Sequence, residues 1–222
     1  MRLWIALLLV LVPVSAAQMI YLWDDWSDGN ANGWVEAPGA VTYEVTDSLT
    51  YRFSYTGSGD EEGVSYWGEM MPDPDYTILS EFVAHPYVTH VGFDARLDSL
   101  TKWSYTAYAD YLNNSLRIAK YNPGYQVLAS TSYDFEYDVR YCIKFGVYGT
   151  SLMAKVWEYG SSEPGWLIQT TDSDINDPYF VGLECFRNPS GSFAGDFYYI
   201  MVADTIPNVL EQGTWGAIKT VF

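Results

Sequence analysis

The sequence predicts an all-β protein, built as a sandwich of two antiparallel sheets. Beyond residue 40, short runs rich in Val, Tyr, Phe, Trp and Thr alternate in polarity, as half-buried strands do. Gly, Pro, Asn and Asp interrupt these runs, which lack a convincing helical period. Many such strands in series favour two stacked sheets, and a closed barrel is the main structural alternative.

The chain begins with the features of an export signal. Arg2 supplies a positive charge, Leu3–Val12 is an unbroken apolar run, and Val14–Ala17 contains small residues at cleavage spacing. This pattern is typical of a signal peptide, and the alternatives are a buried N-terminal strand or an uncleaved anchor. We therefore expect residues 1–17 to be removed and the mature chain to be secreted, at the cell surface or in the periplasm.

The remaining chain is predicted to form one domain followed by a tail. Residues 18–204 are numerous enough to bury a core in a single β domain, and the composition changes near Asp204. Residues 205–222 are predicted to be a linker and a short tail that packs on the domain or docks on a partner. The predicted strands, in order, are Val41–Val45, Ser48–Tyr55, Gly63–Glu69, Thr77–Ala84, Thr89–Leu97, Trp103–Tyr111, Ser115–Lys120, Gln126–Tyr133, Val139–Tyr148, Ser151–Tyr159, Trp166–Thr171, Phe180–Arg187 and Gly195–Ala203.

The two cysteines are predicted to lie on different faces of their strands. Ile143 and Phe145 alternate with Cys142, whereas Leu183 shares the parity of Cys185, so only Cys185 is on the core side. An oxidising compartment favours a disulfide bond between them, and the opposed faces argue against it. The sequence leaves the disulfide open.

The charge balance excludes some classes of partner. The formal net charge is −17 and the pI is about 4.2. Such a chain repels phosphate backbones and anionic lipids, which argues against binding to nucleic acid or to a membrane surface. No segment after the signal is apolar over a bilayer-spanning length, so we expect no membrane insertion after the signal is removed.

An acidic segment near the N-terminus suggests a calcium site. Asp28, Asn30 and Asn32, followed by Gly33, match the first part of a calcium-binding loop with oxygen ligands. Gly39 stands where an EF-hand has its bidentate Glu, so the segment is not an EF-hand. An ordinary turn is the alternative, because Asp, Asn and Gly favour turns for local reasons.

Several segments, in a fixed order, resemble one family of secreted modules. Asp24–Trp34 resembles the D-D-F-x-D-G-x-x-x-G-W start of many lectin-like modules, and Arg140–Trp157 resembles their central hairpin. The later matching segments are Glu163–Trp166, Thr171–Ser173, Val181–Leu183 and Gly195–Ile200. From Trp23 to Ala203 the chain is similar to the concanavalin A-like lectin/glucanase superfamily, including its laminin G-like and 3-keto-disaccharide hydrolase-like branches.

This resemblance implies a fold, a ligand face and a metal. It implies a jelly-roll sandwich whose concave face often receives glycans. It also implies a structural Ca²⁺ that joins the first strand to the last, for which Asp25 and Asp196 are the matching residues. The ending Thr214–Lys219 resembles a short tail of some exported bacterial proteins, which implies contact with the envelope or the export machinery.

Catalytic patterns are missing from the sequence. Glucanases of this superfamily carry a Glu-x-Asp-x-Glu array, and the run Glu136–Asp138 lacks its third acid. Asp60–Glu62 is predicted to be a solvated turn. The two histidines, His85 and His90, lack zinc-binding spacing, and no Gly-x-Ser-x-Gly elbow occurs. A non-catalytic role is therefore favoured over an enzyme, although carboxylates distant in sequence can converge.

Aromatic residues support a prediction of glycan binding. The chain contains 9 Trp and 20 Tyr, whose rings can stack on the apolar faces of sugars while Asp and Arg pair with hydroxyl groups. Strand parity and a mixed aromatic-polar surface select the candidate ligand-binding residues Trp67, Asp94, Arg96, Tyr105, Tyr108 and Trp157. The alternatives are a core role for the aromatics and a protein–protein interface.

The sequence therefore predicts a secreted, non-catalytic, lectin-like module that binds carbohydrate or another extracellular ligand on its concave face. A glycoside-processing hydrolase of the same fold and a structural or adhesive surface protein are the alternatives. Converging carboxylates with raised pKa would favour the hydrolase, whereas exposed aromatics along one sheet would favour the binder.

Overall fold

Fifteen β-strands form the regular structure of residues 18–187 and 191–204, which the computed structural model describes. The predicted signal peptide at 1–17 and the predicted linker and tail at 205–222 lie outside the described residues. Within the described ranges no helix could cross a membrane. The strands are β1 Ile20–Asp24, β2 Trp34–Glu36, β3 Thr42–Val45, β4 Tyr51–Tyr55, β5 Glu61–Trp67, β6 Tyr76–Ala84, β7 His90–Leu97, β8 Ser104–Asp110, β9 Ser115–Tyr121, β10 Tyr125–Ser132, β11 Arg140–Tyr148, β12 Ser151–Glu158, β13 Ile168–Thr171, β14 Phe180–Arg187 and β15 Phe193–Ala203.

These strands form two antiparallel sheets. One sheet has eight strands in the order β13-β12-β11-β6-β15-β4-β3, with β1 also paired to β15. The other has seven strands in the order β10-β9-β8-β7-β14-β5-β2. The predicted all-β sandwich of two antiparallel sheets is confirmed.

Each predicted strand has its counterpart among β3 to β15, whereas β1 and β2 were not predicted. Both are short and border the Asp-, Asn- and Gly-rich segment 24–33, which has turn composition. They are stabilised by partners far along the chain, since β1 pairs with β15 and β2 pairs with β5. Local alternation over so few residues is too weak a signal for such strands.

The core lies between the two sheets and follows the period-two pattern of the sequence. Phe145 and Ile143 of β11 and Leu183 of β14 are fully buried in the main apolar cluster. The predicted hairpin of β11 and β12 is present, and its strands pair from Tyr148 with Ser151 at the turn. Alternation therefore places apolar side chains inward and leaves an outer face on each sheet.

The protein itself covers part of the outer face of the eight-stranded sheet, over β11 and β12. Lys144 of β11 and Lys155 of β12 are fully buried there, and both ammonium groups contact the carboxylate of Glu163. Trp166 lies beside Lys155, whose Nζ is 4.6 Å from the ring centroid. The segment between β12 and β13 thus folds back over β11 and β12.

The two cysteines are free thiols, so no disulfide joins them. Cys185 is in the core, where an added Cβ on Gly195 would lie 2.8 Å from its sulfur. Burial is the largest cause that raises the pKa of Cys142, and the charge of Glu81 is the second. Glu81 pairs with Cys142 across β6 and β11, so both side chains lie on the outer side of the eight-stranded sheet. The predicted opposition of the two sulfurs is confirmed.

Candidate functional site

The outer face of the seven-stranded sheet carries the candidate site. Because Leu183 and Cys185 of β14 face the core, Glu184 and Phe186 face outward. His90 lies directly opposite Phe186 on the neighbouring strand β7. Central strands of this sheet therefore present acids and rings to the outside.

These side chains line a hollow of about 390 Å³. It extends across the outer face from β5 at one side to the β9–β10 hairpin at the other. Its walls combine carboxyl, amide and guanidinium groups with aromatic rings, and the lining residues are Glu62, His90, Asn113, Arg117, Tyr121, Tyr125, Glu184 and Phe186. A concave surface with a few polar groups among rings is the usual form of a small-molecule site.

Three carboxyl side chains run diagonally across the floor of this face. Glu62 pairs with Phe186 in register, and Glu184 lies two residues away on the same strand. Glu184 in turn pairs with Gly92, and Asp94 lies two residues farther along β7. Diagonal neighbours of this kind are about 7–8 Å apart. We call Glu62, Glu184 and Asp94 the carboxylate diagonal.

Burial and mutual repulsion raise the pKa values of the carboxylate diagonal. Glu62 is exposed at the rim, but neighbouring groups desolvate its carboxyl enough to raise its pKa to about 7, and the charge of Asp94 adds to the effect. Glu184 is only 5% exposed, and burial followed by the charges of Asp94 and Glu62 raises its pKa well above the ordinary value. Burial also raises the pKa of Asp94, which accepts a hydrogen bond from Thr106 at 2.7 Å.

Glu184 differs from Asp94 in its lack of partners. Within residues 18–187 and 191–204, we find no hydrogen bond or ion pair to the Glu184 carboxyl group. A buried carboxyl without a partner is costly, so such groups in folded proteins call for an explanation.

An uncharged histidine forms one wall of the hollow. The His90 ring centroid lies 4.6 Å from that of Tyr108 and 5.3 Å from that of Phe186. Burial lowers the pKa of His90 to about 4, outweighing the opposite effect of Asp110. Asp110 itself is paired with Arg117, whose Nη1 lies 3.1 Å from a carboxylate oxygen. His90 is therefore neutral at pH 7.

Two tyrosines form the opposite wall, at the turn between β9 and β10. The ring centroids of Tyr121 and Tyr125 are 5.2 Å apart. Tyr125 is 47% exposed, and its hydroxyl shares a hydrogen bond with that of Tyr108. Burial raises the pKa of Tyr121, and the charge of Glu184 is the next largest cause. The exposed rings thus border the acids.

Comparison with known proteins identifies the fold. No family model and no curated protein matches the sequence. Among solved structures, a carbohydrate-binding module of Bacillus subtilis, CBM66, aligns with a TM-score of 0.58 at 18% identity over 75% of this chain and 93% of that one. The fold is a lectin-type jelly roll. The exoplasmic/lumenal domain of VIP36, in its Ca²⁺/Man-bound form, aligns with a TM-score of 0.64 at 12% identity. The match covers 84% of this chain and 90% of that domain.

A plant lectin has the same jelly roll. Lectin II from Ulex europaeus aligns with a TM-score of 0.56 at 10% identity, and the match covers 83% of this chain and 98% of that lectin. At these identities the likeness concerns the fold alone. It agrees with the jelly roll that the sequence resemblance implies.

The jelly roll brings together two of the predicted ligand-binding residues. Asp94 and Tyr108 both lie on the outer face of the seven-stranded sheet. Trp157 lies on the outer face of the other sheet, where it packs against a small apolar cluster. Trp67 packs edge-on against Trp34, with ring centroids 6.0 Å apart, at the margin of the core.

The other two predicted residues point away from that face. Tyr105 is buried in the core, and its hydroxyl donates to Asp172 at 2.6 Å. Arg96 is fully buried and donates to the backbone carbonyl of Ile175 at 2.7 Å. The β7–β14 register shifts next to Arg96, whose φ of 51° is left-handed, so strict alternation ends before it.

Several residues of the hollow were not predicted. Glu62 lies within β5 and not in a turn, which corrects the turn predicted for Asp60–Glu62, although Glu62 is exposed as predicted. The sequence could have predicted that Glu184 faces outward, because it lies between the core positions Leu183 and Cys185 of one strand. The rings of Tyr121 and Tyr125 gave no such signal, because their direction depends on the turn.

The predicted calcium residues of the N-terminal segment bind backbone groups. Oxygens of Asp25 and Asp28 accept hydrogen bonds from the amides two residues ahead, at 3.2 and 3.1 Å. Asn30 accepts from the amide of Asn32 at 2.9 Å. These are the local bonds of ordinary Asx turns. Asp24, which was not predicted, accepts from the Trp34 indole at 2.8 Å.

Asp196 lies in a different environment. It accepts hydrogen bonds from Arg52 at 2.7 Å and from His85 at 2.9 Å. In the part of the chain that the structure describes, no three His, Cys, Asp or Glu side chains are arranged to hold a metal ion. Of the residues predicted to bind Ca²⁺, Asp25, Asp28 and Asn30 thus each give an oxygen to a backbone amide, and Asp196 gives its oxygens to cationic side chains.

Proposed function

We propose that this jelly roll binds carbohydrate in the hollow on its seven-stranded sheet. The hollow itself carries the proposal, because it sets the exposed rings of Tyr121 and Tyr125 beside the polar groups of Asn113, Arg117 and Glu184. Sugar rings present apolar C–H faces to aromatic rings and hydroxyl groups to amides, carboxyls and guanidinium groups. The arrangement supplies both kinds of contact on one surface.

Proteins with this fold support the proposal. The Bacillus protein is a carbohydrate-binding module, and lectin UEA-II, which has the same fold, has been solved in complex with galactose. The VIP36 domain has been solved in Ca²⁺/Man-bound forms. For this chain we propose the same class of ligand and no calcium dependence, since Asp25, Asp28, Asn30 and Asp196 already accept hydrogen bonds within the protein.

Loss of one exposed ring tests the proposal. The protein is screened on a glycan array and in polysaccharide pull-downs, and affinity for the best ligand is then measured by titration calorimetry. We expect Tyr125→Ala to weaken binding about tenfold, because this factor corresponds to the free energy of one lost aromatic contact. Tyr159→Ala is the matched control, since Tyr159 is 46% exposed but packs with Arg140 on the other sheet.

Two results would contradict carbohydrate binding in this hollow. The first is a complete absence of glycan binding by a folded protein. The second is equal loss of affinity in Tyr125→Ala and Tyr159→Ala, which would move the ligand away from the seven-stranded sheet.

We also propose that the protein acts outside the cytoplasm. The basic start, apolar run and small residues within 1–17 support export. The test is N-terminal sequencing of the protein recovered from the producing cells. A start just after Ala16 or Ala17 is expected, and a retained Met1 would contradict export by this signal.

Glycoside hydrolysis is the second candidate, because the carboxylate diagonal is the converging acid cluster that an enzyme would need. A glycosidase pairs a protonated acid with an ionised carboxylate. Here burial raises the pKa of all three acids, Glu62, Glu184 and Asp94, and lowers that of none of them. These pKa shifts favour carbohydrate binding over hydrolysis. Release of reducing sugar from bound polysaccharides would instead favour hydrolysis.

A further inference from the structure

The carboxylate diagonal lacks a full complement of positive charge. Lys102 is the cation whose charge reaches both Glu62 and Asp94, and its Nζ lies 5.4 Å from the centre of the Tyr66 ring. No cation of the described chain acts on Glu184. Among the described residues, the three acids therefore have one positive neighbour, at the edge of the site.

The cation that lines the hollow, Arg117, is already paired. Arg117 contacts Asp110 through Nη1 at 3.1 Å and donates from Nε to Ser115 at 3.0 Å. It therefore neutralises Asp110 and not the carboxylate diagonal. His90, between the two groups, is uncharged because of its burial.

The spacing of the acids suits an organic cation better than a bare metal ion. They occupy diagonal positions on three neighbouring strands, and within the described ranges they do not form a metal-binding group. A primary ammonium has three N–H donors, which can be shared among carboxyl oxygens. Aromatic rings beside the acids, such as Tyr121, favour a cation further.

We propose that the hollow selects saccharides that carry protonated amino groups, with an ammonium seated on the carboxylate diagonal against Glu184 and Glu62. This inference rests on the proposed carbohydrate binding and adds the class of sugar. An ammonium would supply the partner that Glu184 lacks and would offset the repulsion among the acids. The net charge of −17 would also speed the approach of a cationic ligand.

Acetylation of the amine gives a direct test. Binding of a glucosamine trisaccharide is compared with binding of the N-acetylglucosamine trisaccharide by calorimetry, at a pH where the amines are protonated. The two ligands share their ring structure, and the acetylated one lacks the charge. We expect the amine form to bind at least about tenfold more tightly.

Variants locate the preference. Glu184→Gln keeps the shape of the side chain and removes its charge, and we expect it to abolish the preference for the amine. Glu44→Gln is the control, because Glu44 is an exposed acid of β3 in the other sheet. This substitution removes one negative charge, as Glu184→Gln does. If Glu184→Gln does not fold, Glu62→Gln replaces it, with the same expected loss.

Proton release gives an independent readout. Desolvation raises the pKa of Glu62 to about 7 and also raises that of Glu184, so a bound ammonium should drive protons off both groups. Calorimetry at the same pH, where the amines are already protonated, measures this release in buffers of different ionisation enthalpy. We expect release with the amine trisaccharide and much less with Glu184→Gln. Asp94, Tyr121 and Lys102 face the same acids and remain unchanged in the comparison.

The outcomes separate this inference from the proposed function. Equal affinity for both trisaccharides, or an amine preference that survives in both Glu184→Gln and Glu62→Gln, would overturn the inference and leave carbohydrate binding intact. An amine preference lost equally in Glu44→Gln would also overturn it, because the effect would then be one of net charge. A folded protein that binds neither these nor any other glycan would overturn both.

Discussion

His85 bridges two carboxylates on the outer side of the eight-stranded sheet. Its Nδ1 lies 2.6 Å from an oxygen of Asp138, and its Nε2 lies 2.9 Å from an oxygen of Asp196. Both ring nitrogens can donate to carboxylates only when the imidazole is protonated. The hydrogen bond with Asp196, followed by that with Asp138, raises the pKa of His85 against the effect of burial.

We expect His85→Gln to destabilise the protein more at about pH 5.5 than at about pH 8.5. Because its folded-state pKa is raised, protonated His85 stabilises the fold fully below the unfolded-state pKa of 6.5. That contribution is lost as the pH rises through the folded-state pKa. Urea unfolding at the two pH values measures the difference.

His90→Gln should show the opposite pH trend. The folded-state pKa of His90 is lowered to about 4, so the wild-type residue costs stability as the pH falls below 6.5. The destabilisation caused by His90→Gln should therefore be smaller at the lower pH. Parallel trends for the two histidines would contradict the assigned charge states.

At the scale of elements, the β11–β12 hairpin depends on the segment that follows it. Lys144 and Lys155 face away from the core by alternation, yet both are fully buried beneath the segment 159–167. The carboxylate of Glu163 lies 2.5 Å from one Nζ and 2.6 Å from the other. Burial lowers the pKa of Lys144, and the hydrogen bond to Glu163 opposes this effect.

We expect Glu163→Ala to destabilise the protein by about 3–5 kcal/mol, because it leaves buried ammonium charge without this carboxylate. Glu158→Ala is the matched control at the exposed end of β12, and it should change stability by less than about 0.5 kcal/mol. Urea unfolding measures both variants. Equal stability of the two variants would contradict the role given to Glu163.

The N-terminal turn segment leads to a prediction about calcium. Asp25, Asp28 and Asn30 accept hydrogen bonds from nearby backbone amides, and Asp196 is bound by Arg52. A ligand that binds only the folded state raises the melting temperature. We therefore expect the same melting temperature with millimolar Ca²⁺ and with chelator. A clear rise in Ca²⁺ would instead support the metal site that the sequence resemblance implied.

For the whole molecule, stability depends on packing between the sheets and not on a cross-link. Cys185 is buried between the sheets, whereas Cys142 belongs to the outer side of the eight-stranded sheet. The two sheets instead share one apolar cluster that includes Phe93 and Phe145. A core of this size does not require a disulfide.

We expect a reducing agent to leave the melting temperature unchanged, because both cysteines are free thiols. Thiol reagents should modify both residues only after denaturation, since both are buried. Mass spectrometry under non-reducing conditions checks the result. A mass lower by a pair of hydrogens, together with a lower melting temperature after reduction, would contradict it.

The sequence by itself determined the strand positions from β3 onward, the sandwich and the inward faces. These follow from alternation, which is a local property of each strand. The same parity correctly separated Cys142 from Cys185 and placed Asp94 outside the core. It failed at Arg96, where a register shift breaks the alternation, and at the short strands β1 and β2.

Only the tertiary structure decided which outward residues form a site. Glu62, Asp94 and Glu184 are far apart along the chain, and the pairing of β5, β14 and β7 brings them onto one diagonal. Parity tells which side of a strand a residue faces, and not which strands become neighbours or which faces become covered. The raised pKa values of these acids depend on burial, which arises only when the sheet and its surrounding rings are assembled.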